Sequence, residues 1–142
     1  MTRIFVTMLY LWGFAVPASA GQAGASFDRS QWIWSWPDPG SNSTQSMSQG
    51  CAFFRVDLTL PPAASVAKAD LVLAADNLFA LYVNGKYVGG RDINPDDWRR
   101  PQRFEVAGLL VPGRNVVAVE AANTAPGPAG LIVQGSVQLA DG

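Results

Sequence analysis

The 142 residues carry ten Lys and Arg against eleven Asp and Glu, a net charge of −1, and no histidine. That balance leaves no basic stripe for nucleic acid, and the missing histidine excludes His-based triads and His-ligated metal sites. The single cysteine, Cys51, cannot close an internal disulfide and is expected to be a small buried apolar residue.

The chain opens MTRIFVTMLYLWGFAVPASA. Arg3 gives a positive start, Ile4 to Val16 is apolar, and Ala18-Ser19-Ala20 fits the small-x-small cleavage rule, so residues 1–20 are predicted to be a secretory signal peptide cut before Gly21. The apolar run is short for a span of about 20 residues and ends in Pro17, which argues against a membrane anchor. Residues 21–30 form a flexible lead-in, and residues 31–140 are the size of one domain with a core of its own.

QWIWSW places Trp32, Trp34 and Trp36 at period two, on one face of an extended segment. A tryptophan buries a large area, so Trp32 and Trp34 are expected in the core. Residues 37–50 are a polar loop containing a glycosylation sequon at Asn42. In CAFFRVDLTL, Phe54, Val56, Leu58 and Leu60 alternate with Arg55, Asp57 and Thr59, the pattern of a half-buried antiparallel strand. VAKADLVLA, residues 66–74, is a second strand with Leu71 and Leu73 inward, and Asp76-Asn77 turns the chain. Phe79, Leu81 and Val83 alternate before Asn84-Gly85, the pair favoured at the two positive-φ positions of a type I′ hairpin. RDINPDDWRRP is a charged loop around Trp98, and a short extended piece follows at Arg103 to Val106. A Pro-Gly turn in LLVPGRN leads to an apolar strand from Val116 to Ala122, and Leu131 to Leu139 alternates again. Within the Val116–Ala122 strand, Glu120 shares a face with Val116 and Ala118 and is expected to point outward. No segment keeps a helical period, so the pattern predicts an all-β fold, a jelly-roll β-sandwich.

The ordered set QWIW, FFRVDLTLP, ADLVLAADNLFALYVNGKYVG and LLVPGRNVVAVEAANTAPGPAGLIVQ resembles galactose-binding-like jelly-roll domains, in particular the N-terminal accessory domains of bacterial α-L-rhamnosidases. The resemblance runs from Gln31 to Leu139. It implies a non-catalytic, carbohydrate-binding β-sandwich, secreted or periplasmic, with its ligand on loops at one end. In those enzymes the module precedes a large catalytic barrel, whereas here one module is expected behind a leader. A structural or protein-docking module, resting on a glycoside hydrolase or surface protein, is the alternative. A truncated remnant of a glycoside hydrolase is a third reading.

Sugar recognition needs an aromatic face for the C–H side of the ring and a few placed polar groups for the hydroxyls. The residues expected to supply them are Asp76, Asn77, Trp98, Arg99 and Asn123. Against this, Trp98 would fold back over the sheet, and Asp76 would do no more than cap its turn. Catalysis by paired carboxylates would need two acids about 5–9 Å apart, and the spacing of Asp76 and Glu120 does not bring them together, so no enzyme activity is expected. No cofactor is expected either. Many galactose-binding-like domains carry a structural calcium, and here Asp76, Asn77, backbone carbonyls and Asn123 would supply its oxygen ligands. Partners are expected among carbohydrates or glycoside hydrolases, with no nucleic acid and no stable membrane insertion.

Overall fold

The computed structural model describes residues 3–7, 27, 29–34, 47–91 and 97–140. Most of the predicted leader and lead-in, Trp36, the sequon at Asn42 and the acidic stretch from Asp92 to Asp96 lie outside the described residues. Eight strands follow in chain order: β1 (Arg3–Thr7), β2 (Gly50–Leu60), β3 (Val66–Asp76), β4 (Leu78–Val83), β5 (Lys86–Arg91), β6 (Gln102–Glu105), β7 (Gly113–Asn123) and β8 (Gly130–Leu139). Single 3-10 turns lie at Asp97–Arg99 and Ala107–Leu109, and no helix among the described residues is long and apolar enough to cross a membrane.

The strands form two four-stranded antiparallel sheets, ordered β1-β8-β3-β6 and β2-β7-β4-β5. Alternation sets which side chains meet between them. Leu58 and Leu60 of β2, Leu81 and Val83 of β4 and Val117 and Val119 of β7 pack against Leu71 and Leu73 of β3 and Leu131 and Val133 of β8. Leu60, Leu73, Leu81 and Leu131 are fully buried, each contributing about 1.5–3 kcal/mol by leaving water. This is the predicted all-β sandwich, with Phe54, Val56, Leu58 and Leu60 inward as the pattern of β2 requires.

Consecutive strands are not always neighbours. β3 and β4 lie in different sheets, so Asp76-Asn77 is a corner of the sandwich, whereas β4 and β5 form the hairpin read from Asn84-Gly85. Both turn residues have positive φ, 49° and 77°, as type I′ geometry demands.

Asn84 does more than permit the turn. Its amide nitrogen donates to the Leu109 carbonyl and to Oδ1 of Asn115, both at 2.8 Å, and its Oδ1 accepts from the Val116 amide at 2.8 Å. Asn115 is fully buried; its Nδ2 donates to the Val111 and Gly113 carbonyls, and its Oδ1 also accepts from the Val111 amide. Two asparagines thus clamp the Asn-Gly hairpin to the Pro-Gly turn.

Two expectations need correction. Cys51 is exposed, because the alternation that buries Ala52 turns its neighbour outward. Trp32 is 47% exposed rather than core. The QWIW segment is held by one bridge, Ile33 to Leu131, so it crosses a sheet edge instead of entering a sheet; Trp34 does pack on the core, against Phe54. Glu120 faces outward, as its strand pattern predicts, while Val117 and Val119 are buried; Arg103 pairs with the buried Asp70 at 3.4 Å.

β1 runs antiparallel to β8 along Gln134–Gln138 and lies inside the segment predicted as a leader. In this arrangement residues 3–7 complete the sheet edge.

Candidate functional site

The expected ligand-binding residues gather around the corner where β3 ends. Cross-strand register places Asp76 opposite Gly130 of β8. Ala75 and Leu131, one residue along each strand, point into the core, so the side-chain direction at 76 and 130 is outward, away from the other sheet.

The side chain that lies on this outer face is Trp32. A methyl built at Gly130 would come within 2.6 Å of its ring, so the indole rests directly on the glycine backbone. Trp98 meets Trp32 edge to face, centroids 6.4 Å apart and planes at 72°. Trp98 is itself 37% exposed, and the Arg99 guanidinium lies over its ring at 4.5 Å, covering one face. Asp76, Trp32, Trp98 and Arg99 are therefore joined through Gly130 into one partly open surface.

Asp76 and Asn77 are linked to each other by a 2.6 Å hydrogen bond from Asn77 Nδ2 to Asp76 Oδ1, and the peptide bond between them is cis. Asn77 is fixed from the other side. Its Oδ1 accepts from the Thr124 amide at 2.9 Å and from the Thr124 hydroxyl at 3.0 Å, and its backbone amide donates to Ala122. Asn77 can still donate through its second amide hydrogen. The second carboxylate oxygen of Asp76 has no protein donor among the described residues. Burial pushes the Asp76 carboxyl above its usual 3.8, and the bond from Asn77 only partly offsets this. The corner holds a partly desolvated carboxylate in a fixed orientation, with one acceptor oxygen open among the described residues.

Asn123 is placed differently. It points to the core side of β7, is 2% exposed, and gives its amide to the Met47 and Ser48 carbonyls at 3.4 and 3.2 Å. It ties the chain entering β2 to the end of β7, beneath the corner rather than on its surface. Trp32, which the sequence reading assigned to the core, takes a position on the surface. Gly130, the first residue of β8 and followed by Leu131, Ile132 and Val133, was its available signal, since a glycine there marks a close approach.

Asp76 and Glu120 lie on the outer faces of opposite sheets. Facing sheets are about 10 Å apart even at their backbones, so these two acids cannot flank one glycosidic bond. For calcium, Asp76 is the one carboxylate that the described residues place at the corner, and no group of three acidic, Cys or His residues exists among them. Calcium takes about six to eight oxygens. An ion here would have Asp76 as its carboxylate ligand and would draw most of its shell from carbonyls, water or a bound hydroxyl compound.

No family model matches the sequence. An α-L-rhamnosidase of Streptomyces avermitilis is 34% identical over 120 residues, covering 83% of this chain. The crystal structure of that organism's α-L-rhamnosidase, complexed with L-rhamnose, superposes with a TM-score of 0.67 at 33% identity over 78% of this chain. This chain resembles a β-sandwich domain of α-L-rhamnosidases. The rhamnosidase-like module spans 11% of the curated relative and 10% of the solved chain. A lectin from Pleurotus ostreatus, solved in complex with GalNAc, shares the same sandwich at TM-score 0.62 and 28% identity, over 78% of this chain and 31% of its own. A GH78 rhamnosidase of Bacillus sp. GL1 matches at 0.55 and 25%, over 77% of this chain and 11% of its own. The galactose-binding-like fold expected from the ordered motifs is the fold observed.

Proposed function

We propose that the module binds carbohydrate without catalysis, at the corner formed by Asp76, Asn77, Trp32, Trp98 and Arg99. The observation that carries this is the open oxygen of Asp76, oriented by Asn77 and set in the same surface as two exposed indoles. The carboxylate accepts from a sugar hydroxyl, the free Asn77 hydrogen donates to a neighbouring oxygen, and the ring's C–H face stacks on Trp32 or on the Trp98 face that Arg99 leaves open. Asn123 acts as a positioning residue for the corner. L-rhamnose and GalNAc, bound by structural neighbours, are the first ligands to test.

Titration calorimetry of the protein with L-rhamnose, GalNAc and galactose, in calcium and then in chelator, tests the reading. Saturable heat is expected with one of them. Trp98→Ala should weaken it about tenfold, the scale of one aromatic contact, with little change in Tm. A folded protein giving no heat with any of the three sinks the proposal. The chelator arm separates direct hydroxyl recognition from a cation-bridged one.

A second reading, docking on a glycoside hydrolase, is favoured by one fact: the similar domains are parts of much longer chains. Co-sedimentation with a rhamnosidase, undisturbed by Trp98→Ala, would support docking over sugar binding.

We place the protein outside the cytoplasm, exported by residues 1–20. Intact-mass analysis of the protein recovered from its producing cells should show a chain beginning at Gly21. Removal of the leader would also take β1 from the β8 edge. A mature chain that retains Met1 would overturn the export reading.

A further inference from the structure

The outer face of the β2-β7-β4-β5 sheet, on the far side of the sandwich from Asp76, carries a separate feature. Register aligns two rows across its strands: Phe53–Glu120–Ala80–Gly90, and Arg55–Ala118–Tyr82–Tyr87. The register shift in the β4–β5 pair, between Leu81 and Tyr82, sets Tyr87 and Gly90 on one face although they are three residues apart. The floor between the aromatic rings is low, because Ala80, Ala118 and Gly90 fill it. A methyl at position 90 would lie 2.5 Å from the Phe79 carbonyl oxygen and 3.1 Å from the Tyr87 hydroxyl, so the Tyr87 ring is laid down along the sheet.

The rings stand free. Phe53 is 77% and Tyr87 63% exposed, and Tyr87 is braced edge-on by Tyr82 at 5.6 Å. Two shallow hollows of about 300 and 310 Å³ lie either side of Glu120, the first reaching Tyr87 and Gly90, the second Phe53 and Tyr82. The Glu120 carboxylate and both tyrosine hydroxyls have no hydrogen-bond partner among the described residues. Arg55 lines the same hollow as Glu120, but its hydrogen bond goes to Asp57, which Arg114 also holds.

We propose that this face binds the interior of an extended, neutral polysaccharide chain. Exposed rings with small residues between them suit the C–H faces of successive sugar rings, and three unengaged polar groups suit equatorial hydroxyls. Each row crosses three inter-strand gaps of about 4.8 Å, giving a platform about 14 Å across, long enough for more than one sugar ring and open at both ends. Glu120 and Asp57 are balanced by Arg55 and Arg114, so the face has no net charge to draw uronate-rich or sulfated chains. The face is too broken by polar groups and small side chains to offer a protein partner the contiguous apolar patch of several hundred Å² that docking surfaces show. The inference does not depend on the corner site, and the two sites have different residues.

Affinity electrophoresis of the protein through gels containing hydroxyethyl cellulose, xyloglucan or galactomannan, with polygalacturonate as the anionic comparator, tests it. Retardation is expected with at least one neutral polymer and not with polygalacturonate. Phe53→Ala and Tyr87→Ala should each weaken it about tenfold, Glu120→Gln should weaken it without altering the fold, and Asp76→Asn should leave it unchanged. No retardation of a folded protein by any neutral polymer overturns the proposal. So does retardation that survives both aromatic substitutions, and so does a concentration-dependent dimer in sedimentation that Phe53→Ala breaks, which would make the face a self-association surface.

Discussion

Replacing Asn115 with alanine should lower the melting temperature by about 10 °C or more, a loss of about 3 kcal/mol for a domain of this size. Asn115 has no exposed surface and makes four side-chain hydrogen bonds, to Val111 (two), Gly113 and Asn84. Alanine would take the partner from the Val111 amide, two carbonyls and the Asn84 amide; these groups are only part-buried, so water recovers some of the about 1–3 kcal/mol that each fully buried orphan costs, and the sum is about 3 kcal/mol. The loss also spreads. The Val111–Asn115 turn is joined to the Asn84-Gly85 hairpin through the Asn84–Asn115 bond, so the connection into β7 and the β4–β5 hairpin loosen together. Asn84→Gly keeps the positive φ and removes only the side-chain bonds, so it should cost less, about 1–2 kcal/mol. The double variant should cost less than the sum of the singles, because both break the same amide contact. Thermal melts of the four proteins check this; an Asn115→Ala protein that melts with the parent would mean that the clamp contributes nothing.

The strands were legible because period-two alternation is strong in β2, β4, β7 and β8. Glycine and asparagine turns marked most of their ends. Strand partners were not legible. β2 pairs with β7 across more than fifty residues of chain, and alternation reports which face a side chain takes, not which strand lies beside it. The Asn84–Asn115 clamp was hidden for the same reason, since each asparagine reads locally as a turn residue. Cys51 shows a residue-type expectation overriding a better signal: the alternation of CAFFRVDLTL sets it with Phe53 and Arg55, and that is where it lies. Trp32 erred through length. Three tryptophans at period two look like a buried strand, but a segment held by a single bridge has no second neighbour to cover it. The corner itself was half legible. Asp76, Asn77 and Asn123 were visible as loop-end polar residues, while the inward turn of Asn123 follows from the phase of β7, with Val117, Val119 and Ala121 as its buried companions. The aromatic face around Glu120 needed cross-strand register to appear at all.

Asp76→Asn should weaken sugar binding about a hundredfold, the worth of a hydrogen bond to a charged acceptor, and should not lower the melting temperature at neutral pH. The second half is the sharper test. A carboxylate kept for structural reasons leaves a less stable protein when it is neutralised. Asp76 is in the opposite position, because burial raises its pKa above 3.8 and makes its charged form a cost to the empty protein. For an acid whose folded value is raised, the stabilising contribution is complete below the unfolded value and is lost as pH rises through the folded one. At neutral pH the parent therefore carries the penalty and asparagine does not, while the asparagine oxygen still accepts the bond from Asn77. The parent should accordingly gain on the variant in acid, as Asp76 takes up its proton. Sugar binding by the parent should fade over the same interval, at higher pH than an ordinary aspartate would dictate, because the acceptor loses its charge. Whatever binding remains in Asp76→Asn should be flat across that range. Unchanged affinity in the variant would remove Asp76 from the site. Lost affinity together with a lower melting temperature would make it a structural residue whose loss disturbs the corner. Lost affinity with equal or greater stability fits only a group held at a cost for the ligand it meets.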